Sequence, residues 1–117
     1  LFGDIMSDQA SGLAGGVGLA PSLNAGIDYA MAQAVHGTAP DIAGKGKANP
    51  SALILSSAML LRWLHQRGKS SACRDAATLM ERGVRAAIAE GQATSDLGGS
   101  GTTKSFARAV TSAMRKC

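Results

Sequence analysis

The stretch His36-Gly37-Thr38-Ala39-Pro40-Asp41-Ile42-Ala43-Gly44-Lys45-Gly46-Lys47-Ala48-Asn49-Pro50 divides this 117-residue chain into two unlike parts. Its glycines and prolines, and its lack of a hydrophobic period, predict a loop. It closes on Asn49-Pro50, which predicts the start of a helix. Asn is a good N-cap, and Pro at the first helical position gives up no hydrogen bond the helix needs. A polar loop that runs into a helix N-terminus suits a nucleotide. Backbone amides can meet phosphate, a carboxylate such as Asp41 can accept from both ribose hydroxyls, and Asn49 can read a base edge. An ordinary surface loop has the same residue types, and His36 taken alone reads rather as a partly buried, hydrogen-bonded histidine.

Downstream the chain is helical. Ser51 to Gln66 is apolar at 52–55, 58–61, 63 and 64, nearly all round, and Gly68 stops it. Such a helix is buried on most sides or packs against another subunit, and it would leave a large apolar surface bare if this stretch stood alone. Ser71 to Glu90 is a second helix, with Ala72, Ala76, Leu79 or Met80, Val84, Ala87 and Ile88 as its stripe and Gly91 as its stop. Gln92 to Gly101 is a turn-rich break. Thr103 to Lys116 is an amphipathic helix with Phe106, Val110, Ala113 and Met114 on its apolar side.

Upstream, Tyr29 to Val35 fits a short strand or a helical turn, and periodicity does not decide between them. Gly15 to Asp28 reads as a connection rich in Gly, Pro and Asn. Its glycines fail the dinucleotide fingerprint, because Pro21 stands where G-x-G-x-x-G counted from Gly16 needs its last Gly. The phosphate-loop pattern ending at Gly68-Lys69-Ser70 fails too, because Trp63 stands where its first Gly belongs. The glycines are therefore expected to permit close packing and a sharp reversal.

Asp4 to Leu13 reads as a short helix. Asp4 and Asp8 are one turn apart on one face, where like charges repel by roughly 0.2–0.5 kcal/mol. A bridging divalent cation would reverse that cost, and Mg²⁺ or Mn²⁺ prefers carboxylate oxygen. The plainer alternative is an acidic first turn that complements the helix dipole.

Composition sets the outer bounds. With 45% hydrophobic and 17% charged residues the chain can bury one core but not two, and it is not disordered. No apolar run approaches the roughly 18 residues of a membrane span, so no membrane partner is expected. Leu1-Phe2-Gly3-Asp4 resembles neither a signal peptide nor a translation start, so a longer native chain is expected. Cys73 and Cys117 fit neither a metal site nor a disulfide framework, which suggests free thiols in a reducing compartment, cytoplasm or mitochondrial matrix.

Residues 1–44 hold four Asp and no Lys or Arg, a net −4, whereas residues 45–117 hold twelve Lys and Arg against four acids, a net +8. The basic residues are scattered along helices, with aromatics only at Phe2, Tyr29, Trp63 and Phe106, so a solvated helical surface is expected and nucleic acid is not. The unneutralised Asp residues of the first part suit a cation or sugar hydroxyls.

Four quoted segments resemble the β-decarboxylating dehydrogenases, the family of isocitrate, isopropylmalate, homoisocitrate and tartrate dehydrogenases. They are Leu1 to Asp8, Gly12 to Ser22, Ala34 to Pro50, and Ser95-Asp96-Leu97-Gly98-Gly99-Ser100-Gly101-Thr102-Thr103. The resemblance runs over nearly the whole chain and matches roughly the last third of a family member. It implies an α/β fold: the C-terminal portion of an isopropylmalate-dehydrogenase-like fold, helix-rich with a few short strands. Residues 1–14 would be the metal-motif helix, 15–50 the glycine-rich connection and nucleotide loop, and 51–117 the helical part.

By the same resemblance, Asp4 and Asp8 help hold Mg²⁺ or Mn²⁺ against the hydroxyl and carboxylate of a small 2-hydroxy acid, as a Lewis acid for oxidation and loss of CO₂. His36, Gly37, Thr38, Ala39, Pro40, Asp41, Ile42 and Asn49 match the adenosine-binding loop. Asp41 falls on the position that selects NAD, since a carboxylate there repels a 2′-phosphate, whereas members that use NADP have Lys-Tyr at the Asp41-Ile42 pair. Thr38 leans slightly toward isocitrate over 3-isopropylmalate. Gln33 stands where the family usually has Glu, and Ala32 where Phe is common; a regulatory, non-catalytic subunit or a truncated nucleotide-binding homologue is the alternative reading. The family's substrate-binding arginines and its Tyr and Lys acid–base pair come from the earlier two-thirds of the chain, so no catalytic residue is assigned here. A homo- or hetero-oligomer is implied.

Overall fold

Alternation decides the segment that periodicity left open. In Ala30–Ala34, Ala30, Ala32 and Ala34 are half-buried while Met31 and Gln33 face outward, the period of two that a strand requires. The computed structural model describes residues 2–116, apart from the side chains of Phe2, Asp4, Ser7, Asp8, Ser11, Ala14 and Val17.

Helix α1 (Phe2–Ala14) leads through a single 3-10 turn at Val17–Leu19 into strand β1 (Pro21–Ala25). β1 pairs antiparallel with β2 (Ala30–Ala34), from Pro21 opposite Ala34 to Ala25 opposite Ala30. The connection is closed by the Gly26 amide donating to the Tyr29 carbonyl at 2.8 Å. β1 corrects the expectation of an unstructured connection over 15–28. Pro21-Ser22-Leu23-Asn24-Ala25 has little strand propensity of its own and owes its form to its neighbours. Ser56, buried on helix α2 (Ser51–Gln66), joins both strands. Its hydroxyl accepts from the Ser22 amide at 3.0 Å and lies 2.8 Å from the Gln33 carbonyl and 2.7 Å from the Ala52 carbonyl.

Both long helices end as their glycines predict. After α2, the Gly68 amide donates to the His65 carbonyl and the Lys69 amide to the Leu64 carbonyl. After α3 (Ser71–Ala89), Gly91 donates to Ile88 and Gln92 to Ala87, with Gly91 at φ +76°. This paired closure needs a left-handed residue, which Gly adopts without strain. At its other end α3 is capped by Ser70, whose hydroxyl accepts from the Ala72 amide at 3.1 Å.

Helix α4 (Thr103–Lys116) packs on α3, and the core lies at that crossing: Val84, Ala87, Phe106 and Val110, flanked by Ile54, Leu55, Ile88, Ala109 and Met114. The α4 face matches its sequence pattern. The α3 stripe is shifted at its start: Ala72 is exposed, and Ala77 and Gly83 are buried instead. Gly83 lets the helices meet closely, since a Cβ there would sit 2.8 Å from Met114 Cγ and 3.0 Å from the Val110 carbonyl.

α2 meets α3 through a bidentate pair, Arg62 Nε and Nη2 donating to Glu81 at 2.9 and 2.7 Å. Its buried face is lined by small residues, Ser51, Ala52, Ser56 and Ala58, and Leu53 is 55% exposed. On the ribbon, Ile27, Tyr29 and Met31 are exposed.

Candidate functional site

The helix start falls one residue later than expected: Pro50 is itself the cap, and α2 begins at Ser51. Asn49 Oδ1 accepts from the Ser51 amide at 2.9 Å, and Pro50 (φ −85°, ψ 0°) flanks the first residue of α2. The same side chain reaches the turn before α4. Asn49 Nδ2 donates to Asp96 Oδ2 at 2.9 Å, and the Thr94 hydroxyl donates to Asp96 Oδ1 at 2.5 Å. Asn49 is 8% exposed and Thr94 fully buried. The pair therefore joins two loops 47 residues apart. Gly18 lies directly against it, where a Cβ would stand 2.7 Å from Asp96 Oδ2 and 3.3 Å from Asn49. The expected close packing by the glycine-rich stretch falls here.

A second link fixes the far side of the loop. The Thr103 amide donates to the Gly46 carbonyl at 2.8 Å and its hydroxyl to the Ala48 carbonyl at 2.6 Å. Between these links, Pro40–Ile42 forms one 3-10 turn, preceded by Ala39 in the left-handed region at φ 43°, ψ 62°. A non-glycine residue there is strained, and such strain is held only where the surroundings over-determine it.

These links frame an open cavity of about 970 Å³. Of the eight residues expected to bind the cofactor, six line it: His36, Gly37, Thr38, Ala39, Ile42 and Asn49. Pro40 and Asp41 lie in the same turn but not in the lining, and Asp41 is exposed. Its carboxylate makes no ion pair among the described residues. Of the other early acids, Asp28 is 3.8 Å from Arg67, so it is not unneutralised. His36 is exposed, with Nδ1 3.0 Å from the Gly37 carbonyl, rather than a buried histidine. Asn49 also differs from its expected role: its oxygen is committed to the helix start, so only one N–H is free for a base edge.

Ser95, Asp96, Thr103 and Lys104 also line the cavity, and none was singled out from the sequence as a site residue. The signal was present in the Ser95–Thr103 turn, but its position opposite Asn49 is a tertiary fact. The metal expectation at Asp4 and Asp8 is in a different state. Both belong to α1, one turn apart along the backbone, and their side chains lie outside the described residues. Among the described residues no group of three His, Cys, Asp or Glu could hold a metal, and no helix is long and apolar enough to cross a membrane. Cys73 is free, and Cys117 lies outside the described residues.

A strand ribbon, three long helices and a loop-walled cavity are the terms in which known folds match this chain. It superposes on an isocitrate dehydrogenase crystal structure from Methylococcus capsulatus with a TM-score of 0.87 and 45% identity, covering 98% of this chain and 33% of that one. An isocitrate/homoisocitrate dehydrogenase of Thermus thermophilus is 50% identical over 115 residues, 98% of this chain and 32% of its own length. A probable mitochondrial NAD isocitrate dehydrogenase subunit alpha of Caenorhabditis elegans is 50% identical over 107 residues, 91% of this chain and 28% of its own. The isocitrate/isopropylmalate dehydrogenase family model matches residues 1–112, and the chain belongs to that family. It spans about a third of the length of these relatives.

Proposed function

We propose that the chain forms the adenosine-binding part of an NAD-dependent dehydrogenase that oxidises a 3-carboxy-2-hydroxy acid and releases CO₂, with isocitrate slightly favoured over 3-isopropylmalate. The carrying observation is the cavity between the His36–Asn49 loop and the Ser95–Lys104 turn, lined by six of the eight expected residues. The name of the C. elegans relative supports NAD, and Thr38 supports isocitrate.

Each residue has a role its chemistry allows. Asn49 has one N–H free to donate to a base edge, and Asp96 has spare lone pairs that would accept from an amino group there. Gly37 and Ala39 let the ribose approach the backbone. Asp41 stands beside the cavity, where its carboxylate accepts from ribose hydroxyls and repels a 2′-phosphate. NAD held here would supply the acceptor for the hydride removed from C2 of the acid. Asp4 and Asp8 would contribute carboxylates to Mg²⁺ or Mn²⁺. The catalytic acid and base, and the contacts to the acid, belong to other parts of the protein or its oligomer.

The test is a steady-state comparison of NAD with NADP on the full-length protein, using isocitrate and 3-isopropylmalate with Mg²⁺. NAD is expected to be preferred by at least about tenfold in kcat/KM, and Asp41→Lys to abolish or invert that preference. A wild-type protein indifferent to the 2′-phosphate overturns the role of Asp41. Gln33 favours a second reading, a regulatory partner of a catalytic subunit. A full-length protein that binds nucleotide but turns over neither acid would favour it.

A further inference from the structure

The cavity lining holds two lysines against one carboxylate, with the Asp41 carboxylate just outside it. Among the described residues its lining contains one carboxylate, Asp96, and both oxygens of that group already accept hydrogen bonds, from Thr94 and Asn49. Against it stand two lysines, Lys47 and Lys104. Neither forms an ion pair among the described residues, and both are exposed.

The fold brings these two cations to one wall. Lys47 sits between Gly46 and Ala48, the residues whose carbonyls accept from Thr103, and Lys104 follows Thr103 directly. The link therefore holds the two lysine backbones together across 57 residues of sequence. Like charges gathered in a concavity focus a positive potential into it and favour an anionic group there. Lysine meets phosphate as a point charge, without the planar fork that a carboxylate would match best in arginine.

We infer that Lys47 and Lys104 form an anion subsite for a phosphate group of the adenine nucleotide that this cavity takes. The inference rests on the nucleotide reading above and adds to it a pair of residues and a chemistry. The phosphate can come from the 5′-diphosphate or from a phosphate on the adenosine ribose. A ribose phosphate held here would work against the selection for NAD assigned to Asp41.

Calorimetric titration of the full-length protein with adenosine, ADP and 2′,5′-ADP separates these sources. Wild type is compared with the double variant Lys47→Ala/Lys104→Ala and with the charge-keeping Lys47→Arg/Lys104→Arg. The alanine pair is expected to weaken phosphate-bearing ligands about tenfold and adenosine less than twofold, with a flatter dependence on salt, and the arginine pair to restore binding. A loss shared by ADP and 2′,5′-ADP identifies the 5′-phosphates, and a loss confined to 2′,5′-ADP the ribose phosphate. Unchanged affinity for both, with adenosine still bound, overturns the subsite. Failure of the wild type to bind adenosine or NAD at all would overturn the nucleotide reading beneath it.

Discussion

At the scale of single residues, Asp96 does the most for the site. It neutralises no lysine or arginine among the described residues; it satisfies a buried threonine and orients an asparagine. Asp96→Ala leaves the Thr94 hydroxyl and one Asn49 N–H without a partner. The expected loss is about 1–3 kcal/mol in chemical denaturation, together with weaker NAD binding. Ala39 makes a complementary case. A β-branched residue at φ 43° is far costlier than alanine, so Ala39→Val should lower stability by more than about 1 kcal/mol and disorder the loop. Retention of full NAD affinity in that variant would mean the left-handed turn does not matter to binding.

At the scale of elements, what the sequence made legible was what local chemistry decides. The start of α2 and the stops of α2 and α3 follow from Asn49-Pro50, Gly68 and Gly91, each acting on its own neighbours. Strand β1 was not legible, because Pro21–Ala25 has no alternation and takes its form from β2 and from Ser56. For the same reason half of the cavity escaped notice: Asp96 and Lys104 acquire meaning only when a turn about 50 residues away in sequence folds against Asn49 and Gly46. Gly18 tests that junction. Gly18→Ala would push Asp96 and Asn49 apart and is expected to reduce NAD affinity with α2, α3 and α4 intact by circular dichroism.

The α2–α3 pair carries a pH signature. Hydrogen bonding from Arg62 holds the Glu81 carboxyl below its ordinary range, against some desolvation, with the charges of Arg62 and Arg85 adding to the effect. A depressed carboxylate gives stability that is present above its unfolded pKa and lost as pH falls through the folded one. The stability gap between wild type and Glu81→Gln should therefore be open at neutral pH and close below about pH 4. A gap that stayed constant across that range would show that the pair contributes by packing alone.

At the scale of the whole molecule, the core cluster among the described residues is small. Phe106 is its largest fully buried side chain, and Phe106→Ala is expected to cost about 3–5 kcal/mol, enough to unfold the α3–α4 pair on heating at reduced temperature. Outside that cluster, Leu53 on α2 and Met31, Tyr29 and Ile27 on the ribbon are exposed. The relatives are about three times longer than this chain.

The link from Thr103 back to Gly46 and Ala48 has a consequence in time. A growing chain releases the loop first and α4 more than fifty residues later, so the loop cannot take its final shape when it is made. The contact is among the most distant in sequence in this structure, and distant contacts close late in folding. On the nucleotide reading proposed above, binding competence would therefore arrive with α4, and a nascent chain stalled before Thr103 would hold the His36–Asn49 loop without the turn that completes its cavity.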